Sequence, residues 1–145
     1  MLRVADLGGT EVMREVIEVA DNPVVQKRKV LKLQEVMLQM PQFEEELHHH
    51  FCEGVYAREM RIPAGVVVVG KTHVRDCINF IMKGECEVVS AEEKARIKAP
   101  HVFVSPAGTK RAMVAISDLI WITVHASNER DLDKLEAELI REDEI

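Results

Sequence analysis

The chain has 145 residues, of which 47% are apolar and 30% are charged, and its net charge is −6 at pH 7. This length and composition allow one globular domain with its own core and exclude a disordered chain. We expect neither a membrane span nor a secretion signal, and three cysteines without a CxxC pair favour a reducing cytoplasm. We do not expect nucleic acid as a partner, because phosphate binding needs a concentrated basic surface. The only dense basic group is Lys27, Arg28, Lys29 and Lys32.

The first 45 residues are predicted to form a helical extension. Thr10 can cap a short first helix. Asn22 and Pro23 provide a cap and a first helical residue for a second helix that runs to about Met40, where Pro41 ends it. We expect the extension to cover the domain or to bind a partner protein or a neighbouring subunit. Its apolar faces are Val12, Val16, Ile17 and Ala20 in the first helix and Val30, Leu33, Met37 and Met40 in the second.

Between residues 46 and 126 the apolar pattern changes to the period of two that is typical of β-strands. Turn residues separate the apolar runs, and the segments between successive runs are too short to hold a crossover helix. This pattern excludes a parallel sheet and favours an antiparallel sandwich or small barrel of about eight strands. Beyond a first strand near Leu47, the predicted strands are Val55–Ile62, Val66–His73, Ile78–Met82, Cys86–Ser90, His101–Ser105, Met113–Ile116 and Leu119–His125.

Residues 127–145 are predicted to form one acidic helix. Ser127 and Asn128 are suitable caps, and leucines at 132, 135 and 139 mark one face of the helix. Residues 129–145 contain eight acidic and three basic side chains, and so carry most of the net charge of the chain. This acidic helix and the basic second helix are predicted to meet across a subunit interface, a contact that high salt would weaken.

Two motifs in the strand region resemble those of the cupin superfamily. Residues 65–84, GVVVVGKTHVRDCINFIMKG, are similar to the first cupin motif, in which two histidines and a glutamate lie between glycines. Residues 106–111, PAGTKR, are similar to the second motif, in which a Pro-x-Gly turn precedes a histidine. Further phrases resemble small single-domain cupins encoded by tailed bacteriophages, namely GVYAREM at 54–60, IPAG at 62–65, GKTH at 70–73, AP at 99–100 and WITVH at 121–125.

The resemblance covers roughly residues 50–126 and implies a mainly β fold. We expect a single cupin barrel of jelly-roll type over residues 46–126, with the two N-terminal helices and the C-terminal helix packed outside it. The resemblance also implies a homodimer or a higher oligomer.

The resemblance assigns four metal-ligand positions, and these hold Lys71, His73, Cys77 and Arg111 here. Lysine and arginine are protonated at pH 7, so they cannot coordinate a metal ion and would repel it. We therefore expect the usual cupin metal site to be lost and no cofactor to be bound. The same cations predict an alternative, in which Lys71, His73 and Arg111 bind a small carboxylate or phosphate. In a further alternative, Lys71 and Arg111 only close the rim through ion pairs with Asp76, Glu59 or Glu85.

A rebuilt metal site and a catalytic pair are two further hypotheses. His48 and His50 project to one face of a strand and His49 to the other. The first two could join His73, or Cys77 as a thiolate, to bind zinc. Catalysis would need Cys77 as nucleophile and His73 as base in one pocket, whereas an inert buried cysteine is more common.

The last predicted strand presents two different faces. Trp121, Thr123 and His125 share one face, and Ile120, Ile122 and Val124 share the other. One set is expected to line the barrel and the other to meet solvent, a partner subunit or the N-terminal helices.

Taken together, these patterns favour a non-catalytic cupin that oligomerises and serves as an assembly or interaction module. The resemblance implies that it is encoded by a phage and acts in the cytoplasm of the infected cell or as a part of the virion. The alternative function is binding of a small anion or a metal in the pocket around His73, with or without enzymatic activity.

Overall fold

A computed structural model describes residues 2–6 and 22–143 of the chain. None of the helices in these ranges has the length and the apolar character needed to span a membrane. In chain order the elements are β1 (Leu2–Asp6), α1 (Pro23–Leu38), β2 (Glu46–Cys52), β3 (Val55–Ile62), β4 (Val66–Gly70), β5 (Thr72–His73), β6 (Cys77–Lys83), β7 (Glu85–Ser90), β8 (Lys94–Lys98), β9 (His101–Ser105), β10 (Arg111–Ala115), β11 (Leu119–Ala126), α2 (Leu132–Leu139) and β12 (Ile140–Arg141).

The strands form two five-stranded antiparallel sheets. The first sheet has the order β1-β4-β10-β7-β8, and the second has the order β2-β3-β11-β6-β9. The short strands β5 and β12 pair with each other. Within the described ranges no ladder joins an edge of one sheet to an edge of the other, so the expected barrel is not closed. Side-chain packing between the two sheets, and not continuous backbone pairing, holds them together.

The main core lies between the sheets because the strands alternate buried and exposed side chains. In β3 and β11 the buried positions recur at every second residue. This confirms the period of two that the sequence indicates. The members of this core are Met60, Ile62, Val66, Val68, Ile81, Cys86, Val88, Ile97, Met113, Ala115, Leu119 and Trp121.

Helix α1 covers the outer face of the first sheet. Its buried side chains Val30, Leu33 and Met37 pack against Val67 and Val69 of β4. Because one face of β4 meets the core and the other meets the helix, four successive valines are buried. The predicted cap is confirmed, since the Asn22 side chain accepts a hydrogen bond from the Val24 amide at 2.9 Å. The short helix predicted after Thr10 lies outside the described residues.

Helix α2 begins later than the sequence indicates. The expected caps Ser127 and Asn128 are wrong, because Asp131 caps the helix by accepting a hydrogen bond from the Lys134 amide. Asn128 instead accepts a hydrogen bond from the Gly54 amide and so ties the chain to the β2–β3 turn. The apolar face is confirmed for Leu135 and Leu139, which are buried beside Tyr56 and Phe51, but not for Leu132, which is 45% exposed.

Several strand boundaries also differ from the prediction. The segment predicted as one strand from Val66 to His73 divides at Lys71 into β4 and β5. Strands β1 and β8 were not predicted. In β8 the apolar residues Ala95 and Ile97 alternate with charged side chains, so the strand is short and offers only two inward residues.

Two motif glycines are required by the backbone. Gly84, in the turn between β6 and β7, has a φ of 87°, and a Cβ there would lie 2.2 Å from the Asp118 carbonyl oxygen. Gly108 has a φ of 84°, and a Cβ there would lie 2.5 Å from Nη2 of Arg141. Both residues need the left-handed conformation and the missing side chain that only glycine offers without strain.

Candidate functional site

A cavity of about 70 Å³ lies between the two sheets, and all four sequence-predicted positions line it. Lys71 lies in the link between β4 and β5, His73 lies in β5, and Cys77 and Arg111 begin β6 and β10. Their side chains meet because the ends of these strands lie at the same end of the sandwich. The structure thus brings together Lys71, His73, Cys77 and Arg111.

The lining of this cavity is cationic. Arg58 joins Lys71 and Arg111, while no aspartate or glutamate from the described part of the chain lines the cavity. Arg58 is 3% exposed, and the side chains of Arg111 and Lys71 are 14% and 25% exposed. Burial lowers the pKa of Arg58 and of Arg111 below the ordinary value for arginine. A bound anion would offset this loss of solvation.

Arg111 is held by neighbours at the edge of the cavity. Its Nη1 donates to the Ser105 hydroxyl oxygen at 2.7 Å, and its guanidinium lies 5.2 Å from the centre of the Phe103 ring. Its Nη2 lies 3.6 Å from a carboxylate oxygen of Glu93, a half-exposed residue outside the cavity lining. Its Nε is buried and has no hydrogen-bond partner within the described residues. A ligand oxygen could accept from this N–H.

Lys71 pairs with the C-terminal helix. Its ammonium donates to a carboxylate oxygen of Glu136, which is partly buried on α2. Lys71 and Arg111 thus do form ion pairs, but with Glu136 and Glu93 and not with the predicted carboxylates. The predicted partners are wrong, because Asp76 accepts from the Ala107 amide, Glu59 from Arg61 and His50, and Glu85 from Arg96.

The segment after α2 contacts the end of the sandwich at which Lys71 and Arg111 lie. Asp143 lies 2.9 Å from the ammonium of the buried Lys110 and accepts hydrogen bonds from Thr72 and from Gln34 of α1, each at 3.0 Å. Arg75 contacts Glu138 at 3.3 Å. The acidic segment is therefore neutralised in part by cations of its own chain. A contact with the basic helix of another subunit stays a prediction.

A hydrogen-bonded group of polar side chains forms part of the cavity wall. The Asn79 carbonyl oxygen accepts from the Trp121 indole at 2.9 Å and from the Thr123 hydroxyl at 3.1 Å. The Asn79 amide nitrogen donates to the Ser105 oxygen at 2.8 Å. Since all four of these residues line the cavity, their network fixes the shape of its wall.

His73 and His125 form a buried imidazole pair with ring centres 4.8 Å apart. Burial, with a smaller effect of Arg58, lowers the pKa of His73 to about 4. Burial, His73 and Arg58 lower the pKa of His125 to about 3. Both rings are therefore neutral at pH 7. Neither Nε2 atom has a hydrogen-bond partner in the described ranges, and His73 can offer a neutral ring nitrogen to a ligand in the cavity.

Cys77 lines the cavity beside His73, but the two side chains do not favour nucleophilic catalysis. Burial raises the pKa of Cys77, so that its thiol stays protonated at pH 7. The low pKa of His73 makes its imidazole a weak base. Activation of a thiol needs the opposite shift of its pKa or a stronger base.

The structure does not bring His48 and His50 to His73. Strand register places His48 opposite Glu59 on the outer face of the second sheet, where His48 contacts Glu46 and His50 contacts Glu59. His49 has the opposite orientation, as predicted, and is hydrogen-bonded to the Tyr56 hydroxyl at 2.7 Å. The zinc site proposed from His48, His50 and His73 is therefore wrong, because His48 and His50 lie on the outer face of the second sheet whereas His73 lines the cavity between the sheets.

The residues in the cavity also do not fit the metal that the cupin resemblance implies. His73 and Cys77 could donate to an ion, but Lys71 and Arg111 would repel it from the other two positions. No group of three or more histidine, cysteine, aspartate or glutamate side chains suited to a metal is found in the described residues.

Sequence reasoning missed Arg58, Asn79 and Ser105 as cavity residues. Arg58 had a usable signal, since it lies two residues from both Tyr56 and Met60 on the inward face of β3. Trp121, Thr123 and His125 are the inward set of β11, and Ile120, Ile122 and Val124 face outward. The separation of these two sets is confirmed.

Comparison with solved structures supports the fold. The protein KdgF from Halomonas superposes with a TM-score of 0.54 and 22% identity, covering 66% of this chain and 90% of that chain. A cupin superfamily protein from Desulfitobacterium hafniense superposes with a TM-score of 0.51 and 13% identity, covering 63% and 84%. No family model and no curated protein matches the sequence. At these identities the likeness shows the fold alone, and that fold is the fold of the cupin superfamily.

Proposed function

We propose that this cupin-fold protein binds a small anion in the cavity between its sheets. The observation that supports this function is the charge of the lining, which contains three cations and no carboxylate from the described residues. Buried cations are stabilised by a partner of opposite charge, and arginine offers paired donors that match a carboxylate or a phosphate. The free Nε–H of Arg111 adds a donor at the place where the ligand would bind.

The test is an Arg111→Gln variant titrated with sodium acetate and sodium phosphate at constant ionic strength. Loss of a hydrogen bond to a charged group is worth about 1.5–3 kcal/mol, so we expect the affinity to fall about tenfold to a hundredfold. Isothermal titration calorimetry gives the affinity, and circular dichroism checks that the variant is folded.

Arg96→Gln is the matched control. Arg96 is an exposed arginine of β8 that pairs with Glu85, away from the cavity. We expect this variant to bind the anion as the unchanged protein does. Equal losses in both variants, or no binding of either anion by the unchanged protein, would contradict the proposed function.

We propose as a second function that the protein assembles through the outer face of its second sheet. The outer side chains of β6, β9 and β11 are apolar, and those of Val102, Val104 and Met82 are 56–59% exposed. Charged side chains on this side belong to β2 and β3, at one margin of the sheet, and to Lys83 at the end of β6. The apolar patch comprises Ile78, Phe80, Met82, Val102, Val104, Ile120, Ile122 and Val124.

A second copy of the chain is the occupant that this patch favours. In a symmetric dimer a surface contacts itself, so an uncharged patch suffers no repulsion between like charges. The outer face of the first sheet, by contrast, is covered by α1. This asymmetry supports the predicted assembly module, while its encoding by a phage and its presence in a virion stay predictions.

A Val104→Lys variant tests the assembly by analytical ultracentrifugation. We expect a dimer or larger species for the unchanged protein and a monomer for the variant, because two lysines would face each other in the contact. Val24→Lys is the matched control, because it makes the same substitution at an exposed valine on α1, away from the apolar patch. We expect this variant to assemble as the unchanged protein does. A monomeric unchanged protein at high concentration would overturn the assembly proposal.

A further inference from the structure

The cavity has two chemically different ends. Lys71 and Arg111 are partly exposed and share the cavity lining with the exposed Pro106 and the half-buried Thr109, so this end opens towards solvent. The deep part of the cavity is mostly apolar and continues into the core between the sheets. Its apolar side chains are at most 5% exposed, namely Met60, Val68, Met113 and Trp121, and the buried Arg58 is the cation among them.

Several polar groups along the wall are already engaged with each other. The Trp121 indole and the Thr123 hydroxyl donate to Asn79, and Asn79 and Arg111 both donate to Ser105. The lining atoms without a partner in the described residues include Nε2 of His73 and Nε of Arg111, and both residues lie with Lys71 on the side of the carboxylate. A hydroxyl group at the far end of a ligand's tail would have to break the network or lie against the apolar side chains without a partner. Either outcome is unfavourable, because a buried polar group without a hydrogen bond is costly.

The volume of the cavity limits the length of the ligand. An engineered apolar cavity of about 150 Å³ takes up benzene, which has six carbon atoms. A cavity of about 70 Å³ is roughly half as large and has room for about three or four non-hydrogen atoms. The charged head of a ligand can remain in the open, cationic end, so this limit applies to the buried tail.

We infer that the anion is a short-chain aliphatic monocarboxylate. Its carboxylate accepts hydrogen bonds from Arg111 and Lys71, and its hydrocarbon tail lies against Met60, Val68 and Met113. The inference rests on the proposed anion site and names the ligand class of that site. It distinguishes this class from inorganic phosphate and from hydroxylated acids such as sugar acids, which would leave hydroxyl groups without partners in the apolar end.

The experiment is a calorimetric titration of the full chain with sodium salts at constant ionic strength. The probes are butyrate, 4-hydroxybutyrate, octanoate and phosphate. We expect butyrate to bind at least tenfold more tightly than 4-hydroxybutyrate or phosphate, because 4-hydroxybutyrate would place its terminal hydroxyl group in the apolar part of the cavity and phosphate has no tail. We expect octanoate to bind more weakly than butyrate, because its tail exceeds the space available.

Val68→Thr gives a second measurement, since threonine has nearly the shape of valine but adds a hydroxyl group in the apolar end. We expect it to reduce the preference for butyrate over 4-hydroxybutyrate at least threefold. Val67→Thr is the matched control, because Val67 is equally buried on the same strand but faces α1. This control should retain the preference of the unchanged protein.

The outcomes separate the ligand class from the site. If 4-hydroxybutyrate or phosphate binds as tightly as butyrate, the anion site stands and the aliphatic monocarboxylate class is wrong. If none of the four anions binds, both the class and the proposed function are wrong. If octanoate binds most tightly, the size limit is overturned and with it the short-chain assignment.

Discussion

Two imidazole rings are kept uncharged inside the protein. His73 and His125 have pKa values of about 4 and about 3, while a histidine in the unfolded chain titrates near 6.5. Between these values the unfolded chain binds protons that the folded protein does not. The free energy of unfolding therefore falls as the pH is lowered through this window and is fully retained above about pH 6.5.

We expect acid destabilisation that begins well above the range in which carboxylates titrate. The proton uptake of His73 alone should lower the free energy of unfolding by roughly 3 kcal/mol between pH 6.5 and 4, since one pKa unit corresponds to about 1.4 kcal/mol. Urea unfolding at several pH values between 7.5 and 4 measures this loss. The slope should become shallower in His125→Phe, which keeps an aromatic ring beside Tyr56 but does not titrate.

His48→Gln is the control for that experiment. His48 is exposed on the outer face of β2, away from the buried pair, so its replacement separates the effect of that pair from the loss of a histidine elsewhere. An equal change of slope in both variants would show that the effect does not arise from the buried pair.

At the level of single residues, the sequence allowed the main cavity positions to be predicted but not their partners. The motif spacing indicated that Lys71, His73, Cys77 and Arg111 share one site, and the structure places them there. Their ion pairs could not be predicted, because Glu136 and Glu93 approach through the docking of α2 and the β7–β8 turn. Such contacts depend on tertiary packing, which leaves no local pattern in the sequence.

Helix α2 carries a carboxylate that competes for a cavity cation. Glu136 accepts a hydrogen bond from Lys71, so an anion that binds Lys71 must share or displace it. We expect Glu136→Gln to increase the affinity for butyrate about twofold to fivefold, in keeping with a partly exposed ion pair. Calorimetry at low and moderate salt measures the change.

Asp133→Asn removes the same charge from the exposed side of α2 and serves as the control. Because Asp133 does not line the cavity, we expect at most a small change that vanishes in moderate salt. An unchanged affinity in Glu136→Gln would mean that Lys71 does not take part in binding.

Among the elements, those with a strong period were predicted best. Helix α1 followed from its capping residues and apolar stripe, and β3 and β11 followed from their alternation. The start of α2 was misplaced because Ser127, Asn128 and Asp131 are all reasonable caps. The edge strand β8 escaped prediction because it is short and has only two apolar residues, Ala95 and Ile97, between the charged side chains that protect an edge.

For the whole molecule, the sequence supported a mainly β cupin fold, and the solved structures with this fold agree. The turn glycines Gly84 and Gly108 carry much of that signal, since their backbone conformation admits few other residues. The open arrangement of the two sheets was not predicted. Closure depends on whether the edge strands β2 and β9 of the second sheet pair with the edge strands of the first sheet. The residues of an edge strand have the same pattern whether or not it is paired.

The difference between the two outer sheet faces has a thermodynamic consequence. If the bare face of the second sheet is buried against a second copy, folding and association become linked equilibria. The apparent free energy of unfolding per dimer then rises by about 1.4 kcal/mol for every tenfold increase in protein concentration. The melting temperature of this protein would accordingly depend on dilution, as it does for any chain that completes its hydrophobic surface by mass action.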